Sequence, residues 1–244
     1  MHRVFSAVRG LPVLGIVLSA GLSSPAVAQE VRYQWLDISF MAQDAEMTGS
    51  GALTPVPGQT VAVDSTDGNG IRFRGSVGTW HNIYLFMDFS STDIDVVPTV
   101  TPPGGVPVEG DPDEFDFTSI RGGLGVRFPI GWGPATDLYA EVTYDSADLD
   151  FGSFAGEDFD TSNKDVGGAL GIRAMLNDNW ELRAYGRYTS NGEVDLNTGE
   201  FDTDTVFGVG FGWQIVRGFS IVGDYESGEF TNWSIGFRLD LDED

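Results

Sequence analysis

The sequence predicts an all-β fold, a transmembrane antiparallel up-and-down β-barrel of ten strands, with eight as the alternative count. Three observations predict it. Short segments alternate apolar and polar residues, the connections between them alternate long and short, and tryptophans gather beside the short ones. Alternation is the period-2 signature of a strand, whose successive side chains point to opposite faces. In the segment from Trp233 to Leu241, odd positions are apolar while even positions are Ser, Gly, Arg and Asp. In a soluble sandwich the apolar face would look inward; in a membrane barrel it meets lipid and the charges fill the interior. The remaining features favour the barrel.

The first strand is read over 31–42, with Leu36, Ile38 and Phe40 on one face. The second, 70–80, sets Ile71 and Phe73 against Arg72 and Arg74. The third, 83–92, carries Ile83, Leu85, Met87 and Phe89 on its apolar side. Strands over 116–128 and 137–147 continue with Ile120, Leu124, Val126 and Phe128, then Leu138, Ala140, Val142 and Tyr144. Those over 165–176 and 180–190 carry Val166, Leu170 and Ile172, then Trp180, Leu182 and Ala184. The last three, 204–215, 219–227 and 231–241, present Phe207, Val209, Phe211 and Trp213, then Phe219, Ile221 and Tyr225, then the closing apolar series. Each is near the roughly 9–11 residues that a tilted strand needs to cross the hydrocarbon layer.

Residues 43–69, 91–115, 148–164 and 191–203 form long connections rich in Gly, Pro, Asp, Glu, Ser and Thr. His81-Asn82, 129–136, 177–179 and 216–218 are short. Bacterial outer-membrane barrels sort their connections this way, with long loops outside the cell and short turns in the periplasm. Trp80, Trp132, Trp180 and Trp213 sit beside short turns and Trp35 lies near the start of the first strand. Rings at one level suit an interfacial girdle.

Residues 1–28 are read as a secretory signal: Arg3 and Arg9 lead, Leu11 to Leu22 is apolar, and Ala26-Val27-Ala28 is a small-residue cleavage site. The barrel domain is assigned to 29–244. No other stretch approaches the roughly 20 apolar residues of a transmembrane helix, and the chain has no cysteine to form disulfides. A formal net charge of -24 argues against nucleic acid as a partner.

The polar parity gathers the charges. Arg72, Arg74, Arg121, Arg127, Arg173, Arg183, Arg187 and Arg238 share it with Asp37, Asp88, Glu141, Asp145, Glu181, Asp224, Glu226 and Asp240. Within a narrow lumen these groups pair as charge-assisted hydrogen bonds. Val206, Gly208, Gly210 and Gly212 face inward on the eighth strand and leave room for Arg183 and Arg187. A structural ion network filling the barrel is the first reading and a selectivity filter in a narrow channel the second.

On signal, alternation, loop asymmetry and the final amphipathic strand, the chain from 31 to 241 resembles the small bacterial outer-membrane barrels typified by the OmpA transmembrane domain and OmpX. That resemblance implies insertion by the barrel assembly machinery, which in such families reads a final strand ending in an aromatic residue. Here Phe237, Leu239 and Leu241 are followed by Asp242-Glu243-Asp244, a departure from that pattern. Barrel enzymes of related families imply a histidine near the outer rim, whereas His2 falls in the signal and His81 in the first short turn. The acid pairs Asp145 with Asp148 and Glu226 with Glu229 are weak signals where acids are so abundant. No catalytic residue, cofactor or metal site is assigned.

The expectation is therefore a non-enzymatic outer-membrane protein serving envelope integrity or surface interaction, with a small-solute channel and an adhesin as alternatives. Lipid and lipopolysaccharide are its expected surroundings. Acid clusters at Asp111, Asp113, Glu114 and Asp116, at Glu157, Asp158 and Asp160, and at Glu200, Asp202 and Asp204 could meet divalent cations, though solvated repulsive loops are the preferred reading.

Overall fold

Alternating side chains make every barrel strand two-faced, and ten such strands close on themselves in a computed structural model of the chain. It describes residues 31–45, 47–48, 60–80, 82–110, 113–130, 135–154, 157–192, 194–195 and 200–241. The leader assigned to 1–28, His81, Trp132 and Asp111 lie outside the described residues. The barrel strands are β1 (Trp35–Ala45), β2 (Thr60–Trp80), β3 (Ile83–Thr101), β4 (Asp113–Ile130), β5 (Thr136–Phe154), β6 (Glu157–Met175), β7 (Trp180–Thr189), β8 (Asp204–Val216), β9 (Phe219–Ser227) and β10 (Phe230–Asp240).

Sequential strands pair antiparallel, and β1 closes the ring against β10 with Trp35 opposite Asp240 and Ala45 opposite Phe230. Closure leaves no unpaired edge in the lipid-facing part, as a membrane requires. Gly218 takes φ 78° in the tight turn between β8 and β9, a left-handed conformation glycine adopts without strain. No helix among the described residues is long and apolar enough to cross a membrane.

The outward face carries an apolar belt. Leu36, Ile38 and Phe40 are about half exposed, as are Leu85, Val209 and Phe237, and Met87, Val142 and Leu170 are more exposed still. In water such a belt would be an extreme apolar patch; in a bilayer it is the lipid contact.

The long connections are a correction. Strands β2 to β6 run 18–21 residues, while β7 has 10 and β9 has 9. Much of 60–69, 91–101 and 148–164, read as loop, is strand. The alternation does not stop there; it changes sides. On β3 the outward series Ile83, Leu85, Met87, Phe89 passes to Ser91, Asp93 and Asp95, while inward Tyr84 and Asp88 give way to Ile94 and Val96. On β5 the outward series ends at Tyr144 and continues as Asp148 and Asp150, while Ala147 and Leu149 turn inward. A search for one apolar parity ends where the solvent changes from oil to water.

Above that rim lies a small apolar core of soluble type. Ile94, Val96, Phe115, Phe117, Ala147, Leu149 and Phe230 are buried together, with Val100 and Phe201 packed against them. Phe117 stacks on Phe230 with ring centroids 5.4 Å apart. Each fully buried aliphatic or aromatic side chain contributes about 1.5–3 kcal/mol, so this core holds the projecting strands together.

A second correction concerns the first strand. Residues 31–34 are not strand; β1 begins at Trp35.

Candidate functional site

The polar parity places the charged side chains inside the barrel, where three ion clusters are stacked along it. Nearest the short turns, Arg173 grips Glu181 with Nη2–Oε2 at 2.8 Å, and Arg238 Nη1 meets the same carboxylate oxygen at 3.0 Å. In the middle, Arg74 Nη2 bridges Asp37 at 2.9 Å and Asp224 at 2.6 Å, while Arg183 Nε donates to Asp224 at 2.7 Å. Towards the long connections, Asp88 accepts from Arg72 Nε at 2.8 Å and from Arg121 Nη2 at 2.8 Å. Glu226 accepts from Arg72 at 3.2 Å and Arg187 at 3.4 Å, and also from Tyr185 Oη.

Local sequence makes the room. A Cβ on Gly210 would run into Asp224 and Arg183, and one on Gly208 would run into the Tyr185 ring. Glycine at these two inward positions of β8 lets large partners from β7 lie across the wall. The large polar side chains in turn exclude one another's solvent: Arg72, Arg74, Arg173 and Arg238 are buried, as are Asp37, Asp88, Asp224 and Glu226.

The remaining residues read from the sequence fall as follows. Arg127 lies 3.5 Å from Asp137, and Asp240 lies 3.6 Å from Arg32, both near the short-turn end. Glu141 accepts from Tyr84 Oη at 2.8 Å, and buried Asp145 accepts from Thr189 Oγ1 at 3.0 Å. Neither joins an ion pair among the described residues, although Asp145 is cross-strand from Arg121. Asp145 and Asp148 point to opposite faces, inward and outward, so they form no pair. Glu226 is inward, while Glu229 lies in the turn before β10, its amide donating to Asp204 at 2.9 Å.

Among the tryptophans, Trp80 is 72% exposed, and Trp180 and Trp213 stack on the outer face with centroids 5.9 Å apart. Trp35 is the exception. Grouped above with the interfacial rings, it is buried inside, with the Arg238 guanidinium 4.9 Å over its ring. Its odd position opposes Leu36 and Ile38, so parity had already set it on the inner face.

Sequence reading missed Asp137 and the inward phenols Tyr33, Tyr84, Tyr139 and Tyr185. The signal was present, since Tyr84 lies between Ile83 and Leu85, and Tyr139 between Leu138 and Ala140. The acids assigned to loops also moved: Glu114 and Asp116 are exposed on the outer face of projecting β4. There Asp93, Asp116 and Asp150 stand in one cross-strand row. Asp116 is held above the ordinary carboxylate range, first by desolvation between its neighbours, then by a hydrogen bond with Asp93 and the charges of Asp93 and Asp150.

Among the described residues the lumen holds two cavities of about 60 Å³ each, whose linings share Asp88 and Arg121, and a smaller one of about 20 Å³ beside Glu181 and Arg238. Each holds at most a few waters. Several buried donors and acceptors, Trp35 Nε1 and Arg121 Nε among them, have no partner among the described residues.

A family model described as outer membrane protein beta-barrel domain matches residues 14–214. No curated protein sequence matches the chain. Among solved structures, the outer membrane protein OprG from Pseudomonas aeruginosa is 11% identical, with a TM-score of 0.44 over 87% of this chain and 98% of that one. The translocator domain of the autotransporter NalP from Neisseria meningitidis is 14% identical, with a TM-score of 0.43 over 84% and 88%. The attachment invasion locus protein Ail of Yersinia pestis is 11% identical, with a TM-score of 0.35 over 85% and 99%.

Proposed function

The chain belongs to the outer membrane protein β-barrel domain family, and from that premise we propose that it is a closed, non-enzymatic barrel of the bacterial outer membrane. Its lumen serves structure, and its external contacts are made by the acidic end that projects beyond the bilayer. In this reading the leader is cleaved after Ala28, the long connections face outward, and the assembly machinery inserts the barrel into lipid and lipopolysaccharide.

One observation carries the reading: the inward arginines are neutralised by carboxylates across the barrel instead of lining an open path. Arg74 and Arg183 converge on Asp224, and Arg72 and Arg121 on Asp88. A conducting filter needs charges that are hydrated and free to exchange partners with a passing ion. Guanidinium groups committed to buried carboxylates are neither. The apolar core of Ile94, Phe115, Phe117 and Leu149 stands over the network at the long-loop end. A ten-stranded barrel is narrow enough for side chains to fill.

Planar-bilayer recording on the folded barrel tests the proposal. A silent bilayer is expected. Discrete conductance that changes on Arg183→Ala would instead establish the channel.

A further inference from the structure

We propose that the four residues before β1 form a built-in stopper for the short-turn mouth of the barrel. A segment that merely continued β1 downward would stay beside its neighbours β2 and β10. Instead the backbone carbonyl of Arg32 accepts from Arg173 Nη1 at 3.0 Å, and Arg173 stands on β6. In a ring of ten strands β6 lies opposite β1, so this contact places the segment across the opening.

The segment is fastened at every residue, at its base by the neighbours of β1 and across the mouth by β4 and β6. Val31 O accepts from Arg127 Nη1 of β4 at 3.3 Å, and Tyr33 O accepts from Ser76 Oγ of β2 at 2.9 Å. Gln34 O accepts from the Leu241 amide at 2.8 Å, and the Arg32 side chain lies 3.6 Å from Asp240. The Tyr33 ring is the centrepiece. The Arg173 and Arg127 guanidiniums stand 4.8 and 5.2 Å from its centroid, and the Tyr84 ring lies 4.6 Å away. Val31 and Tyr33 are buried in one apolar cluster with Tyr84 and Met175.

The arrangement has a chemical logic. Arg127 and Arg173 carry charge at the mouth, and the segment covers them with acceptor carbonyls and a π face, which attract guanidinium groups without adding a negative charge. Tyr33 also lines the cavity that reaches up to Asp88 and Arg121. The stopper thus separates that chamber from the short-turn side. Since no cysteine is present, a single engineered thiol can report on the seal.

The inference deepens the closed-lumen reading by assigning one of its two ends to this segment. The reporter is Ala169→Cys, which places a buried thiol in the wall of the cavity that Tyr33 lines, without touching the segment's fastenings. The folded barrel carrying it is exposed to a trimethylammonium thiosulfonate, and the modification rate is measured. With the native segment, labelling is slow. Replacing Val31, Arg32 and Tyr33 together by glycine accelerates it by at least about 100-fold, as expected when a locally closed element is removed. Should that variant lose its heat-modifiable mobility, Tyr33→Ala in the same background replaces it, with a smaller acceleration. An unchanged rate in a folded variant overturns the stopper. The two readings fail separately: conductance by the native barrel sinks the closed lumen, whereas unchanged labelling in a silent barrel sinks only the stopper.

Discussion

Asp224 illustrates how a charge can be held out of water. Its two oxygens meet Arg74 and Arg183, and glycine at position 210 gives all three the space to do so. Removing one member leaves guanidinium groups buried without a counter-charge. Asp224→Asn should therefore cost roughly 3–5 kcal/mol, read from denaturant-induced unfolding in micelles. The glycine argument yields a second expected outcome. A Cβ on Gly210 collides with the ion pair, while one on Gly212 meets nothing closer than 3.5 Å. Gly210→Ala should lower stability by about 1–3 kcal/mol through overpacking, and Gly212→Ala should leave the unfolding midpoint almost unchanged. At this scale parity alone located the charged residues in the sequence. Which arginine would meet which carboxylate was not legible, because partners such as Arg74 and Asp224 come from strands far apart in the chain.

Each projecting strand passes through two solvents, and β5 is the clearest case. Its outward Val142 lies in the apolar belt and its outward Asp148 lies above it. Val142→Arg should destabilise the inserted barrel by about 2–4 kcal/mol, whereas Asp148→Arg should change it by less than about 0.5 kcal/mol. The belt was readable in the sequence because lipid imposes one parity throughout. The extension was not, because Ile94, Val96, Ala147 and Leu149 carry the apolar signal on the opposite parity and so broke the pattern. The same extension bears the row of Asp93, Asp116 and Asp150. A carboxyl raised in the folded state binds its proton more tightly there, so stability declines as pH climbs from the ordinary carboxylate value to the raised one. Amide exchange in the projecting part of β4 should thus slow as pH is lowered through that window, after correction for intrinsic rates. Asp116→Asn should remove the dependence.

Across the whole molecule the charges are sorted by place. The lumen gathers cations beside their carboxylates, while Asp93, Asp95, Glu114, Asp116, Asp148 and Asp150 stand exposed on the projecting strands. Such a surface repels other acidic surfaces and attracts cationic ones. Ten strands and their closure were legible from the alternation. The course of 31–34 across the mouth was not, since alternation turns Tyr33 inward but only its partners on β4 and β6 draw the segment off the line of β1.

The central claim is that the barrel wall changes faces at the rim, apolar outward within lipid and apolar inward beyond it. Single cysteines placed in turn from Leu138 to Asp150 along β5, each carrying a nitroxide, test it by collision with oxygen and with a water-soluble nickel chelate. Outward sites up to Tyr144 should favour oxygen, Asp148 and Asp150 should favour nickel, and Ala147 and Leu149 should be shielded from both. Nickel reaching Ala147 and Leu149 while Asp148 and Asp150 stay shielded would contradict the account.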